Sequence, residues 1–249
     1  MSKGNLAVKE EFDGLAIEDS ILEEKLTDNI RIFQKNETKA NRKIFYKVLK
    51  RIIDIIGAFV GTVILIPTTV IIYLARKISK EDNGPLFYEQ LRYGKNGKIF
   101  RLYKYRSMCI GADEKLKEYL ANNEEARKEF KKTHKLQNDP RITKIGDFLR
   151  KTSLDELPQM INILKGDMSF VGPRPVVEKE VEEYGKDKEK FLSVKPGLTG
   201  YWQVNGRSNT TYEERMEMEL YYVDNCSLWL DVKIFFKTFI TVFKKEGAM

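Results

Sequence analysis

The sequence predicts an α+β protein that is mostly helical and carries a membrane-dipping helix and a small antiparallel β-hairpin. Three features of the 249-residue chain support this prediction. A long apolar run lies between Arg51 and Arg76, apolar and polar residues alternate on both sides of Gly94–Gly97, and helix-like segments separated by glycine- and proline-rich loops fill the remainder. Alternation around a glycine-bounded turn is typical of a β-hairpin. We expect one sizeable domain, or a domain plus appendages.

Three segments follow one another along the chain. Residues 1–38 mix acidic and apolar side chains and are expected to form a variable, mobile tail or a partner-binding arm. Residues 39–80 hold the apolar run and its basic flanks, and we expect them to form the membrane element. Residues 81–249 contain all the remaining motifs and are predicted to form the main body.

The apolar run has 24 residues with one charge, Asp54. A straight helix of this length measures about 36 Å, which exceeds the roughly 30 Å of a hydrocarbon core. Pro67 removes a backbone hydrogen bond, so we expect a kink near Ile64–Ile66. Because cations flank both ends, a re-entrant helix–break–helix hairpin competes equally with a kinked spanning helix. A buried core helix is the third alternative, and the absence of a polar face disfavours it.

The rest of the chain reads mainly as helices and loops. The final segment, Trp229–Phe243, combines aromatic and basic residues and predicts an amphipathic helix that either lies on a membrane surface or packs against the core. The other expected elements are a hairpin over 85–106, a solvated helix over 111–132, helices over 154–164, 178–192 and 210–224, and loops over 166–175 and 196–207.

Composition narrows the function classes. The net charge is +7 and the pI is about 9.1, which suits an anionic bilayer surface and phosphate-bearing substrates. Nucleic acid is the usual rival partner of a basic chain, but the sequence has no nucleic-acid-binding motif, so we expect none. Cys109 and Cys226 predict free thiols in a reducing compartment. The single histidine, His134, lies in a polar stretch, so we expect chemistry that proceeds without histidine.

The densest polar cluster surrounds two adjacent carboxylates, Asp155 and Glu156. Ser153 and Glu156 match a helix capping box, which is the purely structural interpretation. Pro158 argues for Asp155 as the cap instead, because a proline is tolerated only in the first turn of a helix. A carboxylate at a helix N-terminus stays ionised, and adjacent carboxylates suit both nucleophilic attack on phosphorus and Mg²⁺ binding.

Several cations accompany this pair. Arg150 precedes it, and Arg174 lies between two prolines, where a rigid guanidinium offers two donors to phosphate oxygens. Lys104 and Arg106 end the predicted hairpin. Each also has an ordinary interpretation, as a surface arginine in a turn or as a charge on an edge strand.

Long motifs in this order carry a resemblance to a known family. They are RIIDIIGA, LYKYRSM, TKIGDFLRKTSLDELPQMINILKGDMSFVGPRP, KPGLTGYWQVNGRS and LYYVDNCSLWLDVKI. From about residue 43 to the end, the chain resembles the bacterial sugar transferases, the monotopic polyprenol-phosphate phosphoglycosyl transferases. Its C-terminal part resembles the branch that transfers hexose 1-phosphate to undecaprenyl phosphate.

The resemblance implies a reaction and a set of site residues. A UDP-hexose and undecaprenyl phosphate would give undecaprenyl-diphospho-hexose and UMP, as the first membrane step of exopolysaccharide, O-antigen or S-layer glycan synthesis. Asp155 matches the nucleophile and Glu156 its partner, with Mg²⁺ as the cofactor. The matched or inferred substrate-binding positions are Lys104, Arg150, Arg174, Arg207 and Asp231, of which Arg207 rests on the weakest match.

The resemblance also implies a re-entrant helix with its break at Pro67, and hence a monotopic protein on the cytoplasmic face of the bacterial inner membrane, in contact with membrane lipid. Ile66 stands where many relatives have serine before the proline, which puts the kink angle in doubt. The sugar is expected to be galactose or glucose, with N-acetylated sugars as alternatives. A homodimer is admitted but not implied. The rival functions are a metal-dependent glycosyltransferase that releases UDP and a catalytically silent membrane adaptor.

Overall fold

The computed structural model describes residues 43–81, 84–133, 136–206 and 210–243. The chain divides into two compact units, residues 1–50 and 51–249, and of the first unit only 43–50 are described, as helix. The predictions for the tail 1–38, His134 and Arg207 lie outside the described residues.

The apolar run forms one long helix, α1, Lys43–Ile78, which is long and apolar enough to cross a membrane by length and composition. The helix continues through Pro67, where the sequence predicted a break. A proline can bend a helix without ending it, and the hydroxyls of Thr68 and Thr69 bond carbonyls four residues back, at 2.8 and 2.6 Å. The re-entrant path therefore stays a prediction.

One face of α1 is buried against the body and the other is exposed. The buried positions recur at intervals of four or seven, as one helix face requires, and they are Asp54, Ala58, Leu65, Ile72 and Arg76. Large apolar side chains such as Phe59, Ile66 and Ile71 are more than 60% exposed. Residues 51–78 thus present an apolar surface away from the body.

The predicted hairpin is confirmed. Strands β1, Phe87–Tyr93, and β2, Ile99–Tyr105, pair antiparallel, with Tyr88 opposite Lys104. A short 3₁₀ turn over Lys95–Gly97 joins them, and Asn96 adopts the left-handed region at φ 56°. The inner face of β2 packs Phe100 and Leu102 into the first core cluster, together with Ala58, Met160, Ile163 and Met168.

The solvated helix predicted over 111–132 is two helices, α2, Ala112–Asn122, and α3, Glu124–Thr133. Asn123 separates them because its side chain accepts a hydrogen bond from the backbone N–H of Ala126, as a helix cap does. The break follows from this cap.

Helix α4, Lys144–Lys151, begins at Thr143, whose hydroxyl accepts from the N–H of Gly146. A 3₁₀ turn over Leu154–Glu156 and helix α5, Gln159–Lys165, follow it. Met160 and Ile163 of α5 enter the first core cluster. The predicted helix over 154–164 is therefore two elements.

The two predicted loops contain strands. β3, Ser169–Val171, and β4, Gly197–Thr199, form a two-stranded parallel sheet within the stretches expected to be irregular. Helix α8, Tyr201–Asn205, follows β4. Three-residue strands are too short to create an alternating pattern, which explains why the sequence did not reveal them.

The C-terminal half surrounds this small sheet with helices. They are α6, Glu178–Glu183, α7, Lys188–Phe191, α8, Tyr201–Asn205, α9, Tyr212–Asn225, and α10, Leu228–Phe243, with a 3₁₀ turn over Gly185–Asp187. The alternative in which the last segment packs against the core is confirmed, and its contact with a membrane surface stays a prediction. Ile234 of α10 is buried with Val171, Val204 and Tyr222, whereas Trp229, Phe236 and Ile240 are exposed.

Candidate functional site

The site begins where β2 meets α4. A Cβ on Gly146 would lie 2.0 Å from the backbone oxygen of Ser107, so only glycine permits this close approach. One turn further along α4, the Nε of Arg150 donates to the Ser107 hydroxyl at 2.9 Å. Burial lowers the pKa of Arg150, and the nearby charge of Asp155 opposes this effect. The packing of glycine against backbone thus brings a cation to the predicted carboxylate pair.

The two carboxylates lie in the 3₁₀ turn between α4 and α5. Ser153 precedes the turn in the left-handed region at φ 57° and caps nothing with its side chain, so the capping-box alternative does not form. The N-cap of α5 is Pro158, not Asp155 as the sequence predicted. Because the backbone of Ser153 is left-handed, α4 does not continue into α5, and both carboxylates lie in the turn before α5 begins.

Glu156 is firmly held. Its Oε1 accepts from Lys104 Nζ at 2.7 Å, and Gln159 also donates to it. Burial alone would raise the pKa of Glu156, but the charges of Lys104 and Arg174 and these hydrogen bonds outweigh it and lower the pKa below its usual value. Glu156 is therefore ionised and fixed in place by the end of β2.

Asp155 differs from its neighbour. Among the described residues, no other residue donates a hydrogen bond to its carboxylate. Burial raises the pKa of Asp155 from 3.8 to about 6, with the charge of Glu156 adding to the effect and Lys104 and Arg150 opposing it. An ionised carboxylate that lacks hydrogen-bond donors is a better nucleophile than one engaged in an ion pair.

Arg174 lies in the segment between β3 and α6. Its backbone N–H donates to Glu219 at 3.4 Å, and its Nε is buried without a hydrogen-bond partner in the described part of the chain. Its positive charge acts on Glu156, so the guanidinium lies near the carboxylate pair. Lys104, Arg150 and Arg174 are thus brought to one place with Asp155 and Glu156.

Asp231 has a different position. It is buried in the first turn of α10 and accepts from the hydroxyl of Tyr222 at 2.7 Å. The same hydroxyl oxygen lies 3.2 Å from the backbone oxygen of Val171. These contacts join α9, α10 and β3 beneath the loop that carries Arg174. Asp231 is therefore a support for that loop, while a contact with substrate stays a prediction, as does any role of Arg207.

The carboxylate pair fits the kind of magnesium site that substrate completes. Within the described part of the chain, no group of three or more acidic, cysteine or histidine side chains is placed to hold a metal. Mg²⁺ needs only one or two protein carboxylates when phosphate and water supply the other ligands. The pKa of Asp155 is raised mainly by burial, with the charge of Glu156 adding to the effect, and a bound cation would oppose both. Asp155 and Glu156 are the residues that fit the ion.

Four charged residues near Arg174 were not predicted. They form a chain of ion pairs in which Arg215 and Glu219 are buried and Arg92 and Glu180 are partly buried. They lie on β1, α6 and α9, far apart in sequence, and no local pattern announces them. Ser107 was missed for the same reason, whereas Gln159 lies three residues after Glu156 and was simply assigned no role.

The comparisons with known proteins identify a family. A family model described as bacterial sugar transferase matches residues 45–245. The undecaprenyl-phosphate galactose phosphotransferase of Salmonella typhimurium is 48% identical over 202 residues, which are 81% of this chain and 42% of that protein. The chain thus spans less than half the length of this relative.

Two further relatives are similar. The exopolysaccharide production protein ExoY of Sinorhizobium fredii is 43% identical over 216 residues, which are 87% of this chain and 94% of that protein. The UDP-glucose:undecaprenyl-phosphate glucose-1-phosphate transferase of Escherichia coli is 41% identical over 206 residues, 80% of this chain and 40% of that protein.

Proposed function

The chain belongs to the bacterial sugar transferase family, and from this premise we propose that it transfers hexose 1-phosphate from a UDP-hexose to undecaprenyl phosphate. The products would be undecaprenyl-diphospho-hexose and UMP. The observation that carries the proposal is the unequal pair in the 3₁₀ turn: no other described residue donates a hydrogen bond to the Asp155 carboxylate, whereas Lys104 holds Glu156 at 2.7 Å.

In the first step, a carboxylate oxygen of Asp155 attacks the phosphorus that bears the sugar. A bond forms between this oxygen and phosphorus, the diphosphate bridge breaks, and UMP leaves with the bridging oxygen. Lys104, Arg150 and Arg174 lie around the pair and would stabilise the negative charge on the phosphate oxygens. Such catalysis depends on positioning and charge and needs no histidine.

In the second step, an oxygen of the lipid phosphate attacks the same phosphorus. The acyl-phosphate bond breaks and Asp155 returns as a free carboxylate, while the lipid leaves with the phosphosugar. A magnesium ion on Asp155 or Glu156 would supply charge neutralisation for the phosphates. Glu156 itself, ionised and held by Lys104, would keep the turn in place and maintain the local field around Asp155.

The membrane helix would set this chemistry at the height of the lipid headgroups. Near its start, Arg51 donates to the carbonyls of Ile163 and Leu164 at 2.6 and 2.8 Å. Near its end, Arg76 pairs with Glu81 at 3.7 Å, and Glu81 Oε1 in turn accepts from the N–H of Ile145 in α4 at 2.8 Å. Because both ends of residues 51–76 contact the same body, an anchor that stays on one membrane face fits better than a perpendicular crossing. We therefore propose a monotopic protein on the cytoplasmic face.

We propose that the sugar is galactose or glucose, because the relatives from Salmonella typhimurium and Escherichia coli are named for these two hexoses. The ExoY relative, of which the chain covers 94%, bears a name that refers to exopolysaccharide production, so we propose exopolysaccharide synthesis as the setting. A role in lipopolysaccharide synthesis and a homodimer remain predictions.

A product assay tests this proposal. The detergent-solubilised chain is incubated with Mg²⁺, undecaprenyl phosphate and either UDP-galactose or UDP-glucose. We expect release of UMP, and a loss of at least about a thousandfold in Asp155→Asn, because removal of a nucleophile leaves only the contribution of binding. Glu217→Gln, at an exposed position on α9, is the matched control.

Other products or rates would identify the rivals. Release of UDP would indicate a glycosyltransferase that uses the carboxylates only to hold a metal. No turnover with any donor would favour the silent adaptor. Full turnover in Asp155→Asn would contradict the assignment of the nucleophile.

A further inference from the structure

A buried ladder of charges connects β1, α6 and α9. Arg92 Nη1 lies 3.3 Å from Glu180 Oε2, Arg215 Nη1 lies 3.3 Å from Glu180 Oε1, and Arg215 Nε lies 3.3 Å from Glu219 Oε1. We call Arg92, Glu180, Arg215 and Glu219 the charge ladder. Positive and negative groups alternate along it.

The ladder is costly to bury. Glu219 is 1% exposed and Arg215 is 8% exposed. Arg215 also stacks over the rings of Trp202 and Tyr212, at 4.8 and 5.2 Å from their centroids. Replacing a buried ion pair with apolar residues is often neutral or stabilising, so stability alone does not explain such a network.

Both ends of the ladder hold the same short segment of backbone. At one end, Glu219 Oε1 accepts from the N–H of Arg174 at 3.4 Å. At the other end, Arg92 Nη1 donates to the carbonyl of Pro175 at 3.2 Å. Between them, Glu180 Oε2 accepts from the N–H of Val177 at 3.0 Å. The ladder thus binds three peptide groups between residues 174 and 177.

This segment carries the cation that acts on the carboxylate pair. Pro173 and Pro175 restrict the backbone on either side of Arg174, so the direction of its side chain depends on how the segment as a whole is held. The Nε of Arg174 is buried and has no hydrogen-bond partner among the described residues. Small displacements of a positioned group cost large factors in rate.

We propose that the charge ladder is a positioning device that fixes the Arg174 guanidinium against a phosphate of the donor diphosphate. This inference rests on the proposed function and adds four residues to it. Arg92, Glu180, Arg215 and Glu219 act through Arg174, without touching the substrate themselves.

A double-mutant cycle tests the inference in the full-length, detergent-solubilised chain. Glu219→Gln removes the negative charge at one end of the ladder. Arg92→Lys breaks the other end, because a single ammonium cannot reproduce the several contacts of a guanidinium. We expect each to lower kcat/KM for UMP release by about tenfold. In an Arg174→Ala background, neither should lower it further, because the group that they position is absent.

Matched controls separate positioning from general damage. The first control is Glu217→Gln, because Glu217 lies on the same helix as Glu219 but is exposed. The second is Arg101→Lys, because Arg101 lies on β2, the strand paired with β1, and its side chain is 69% exposed. Both should keep the rate of the unmodified chain. Thermal unfolding of every variant shows whether it is folded at the assay temperature, and if Glu219→Gln is unfolded the Arg92→Lys cycle decides.

Two results would overturn the inference. One is unchanged kcat/KM in both ladder variants, and the other is a loss of the same size with and without Arg174. An unmodified chain that releases no UMP would instead contradict the proposed function, so the two failures are distinguishable.

Discussion

Asp155 and Glu156 are chemically identical in type and adjacent in sequence, yet their surroundings separate them. Lys104 and Gln159 stabilise the negative charge of Glu156 and lower its pKa. Within the described ranges no other residue donates to Asp155, and burial raises its pKa to about 6. Pairs of carboxylates whose pKa values are driven apart commonly divide their roles in a reaction. We assign attack to Asp155 and positioning to Glu156.

The raised pKa of Asp155 predicts the pH dependence of the first step. Only the ionised carboxylate attacks phosphorus, and the folded protein favours the neutral form up to a pH of about 6. We expect kcat/KM for UMP release to fall as pH decreases through about 6. Measurement of initial rates between pH of about 4.5 and 8 checks this, and a rate that stays constant down to a pH of about 4.5 would contradict it.

At the residue scale, the sequence predicted the carboxylate pair and its cations but not the residues that support them. The pair and its cations were found because Arg150, Asp155, Glu156 and Arg174 lie in or next to proline-bounded segments with local signals. The charge ladder was missed, since its members meet only through contacts between distant elements. The cap was misassigned because the left-handed turn at Ser153 has no glycine to announce it.

At the element scale, α1 is fastened to the site by Asp54. Its carboxylate, which is buried, accepts from the Ser169 hydroxyl and from the N–H of Phe170, both at 3.0 Å. These two residues begin β3, the strand that leads to Arg174. Helix α1 is therefore bonded directly to β3, the strand that precedes the segment carrying Arg174.

This contact predicts a stability effect. Asp54→Ala leaves two buried donors without an acceptor, each of which costs about 1–3 kcal/mol. We expect a markedly lower unfolding temperature in detergent. Ile53→Ala changes the adjacent residue, which is 51% exposed, and should have little effect. Equal stability of Asp54→Ala and the unmodified chain would contradict the role of this contact.

The lengths of the elements explain which of them the sequence predicted. The hairpin has seven-residue strands and a glycine-bounded turn, so its pattern is long enough to recognise. β3 and β4 have three residues each and depend on pairing with one another across a long separation. The helix over 178–192 is interrupted at Gly185, whose φ of 50° no helix interior adopts. Local periodicity did not contain this information.

At the scale of the whole molecule, the apolar outer face of α1 suggests how the protein meets the bilayer. The outer face of α10 is also apolar, with Trp229 and Phe236 more than 60% exposed. Exposed apolar surfaces of this size, next to basic residues, are typical of contact with lipid.

A monotopic arrangement predicts that both flanks of α1 lie on the cytoplasmic side. Cysteines are introduced singly at Lys47 and Lys80, both exposed, after Cys109 and Cys226 are replaced by serine. We expect a membrane-impermeant maleimide to label both positions in inverted vesicles and neither in intact spheroplasts. Labelling of one position from each side would establish a spanning helix and contradict the proposed topology.

The central claim is that Asp155 carries the sugar phosphate between the two substrates. Its most direct test is intact-protein and peptide mass spectrometry after incubation with UDP-hexose and Mg²⁺, without undecaprenyl phosphate. The account predicts that the chain gains the mass of one hexose phosphate on the peptide containing Asp155, and that adding the lipid phosphate removes it. An adduct on another residue, or UMP release without any adduct, would contradict the account.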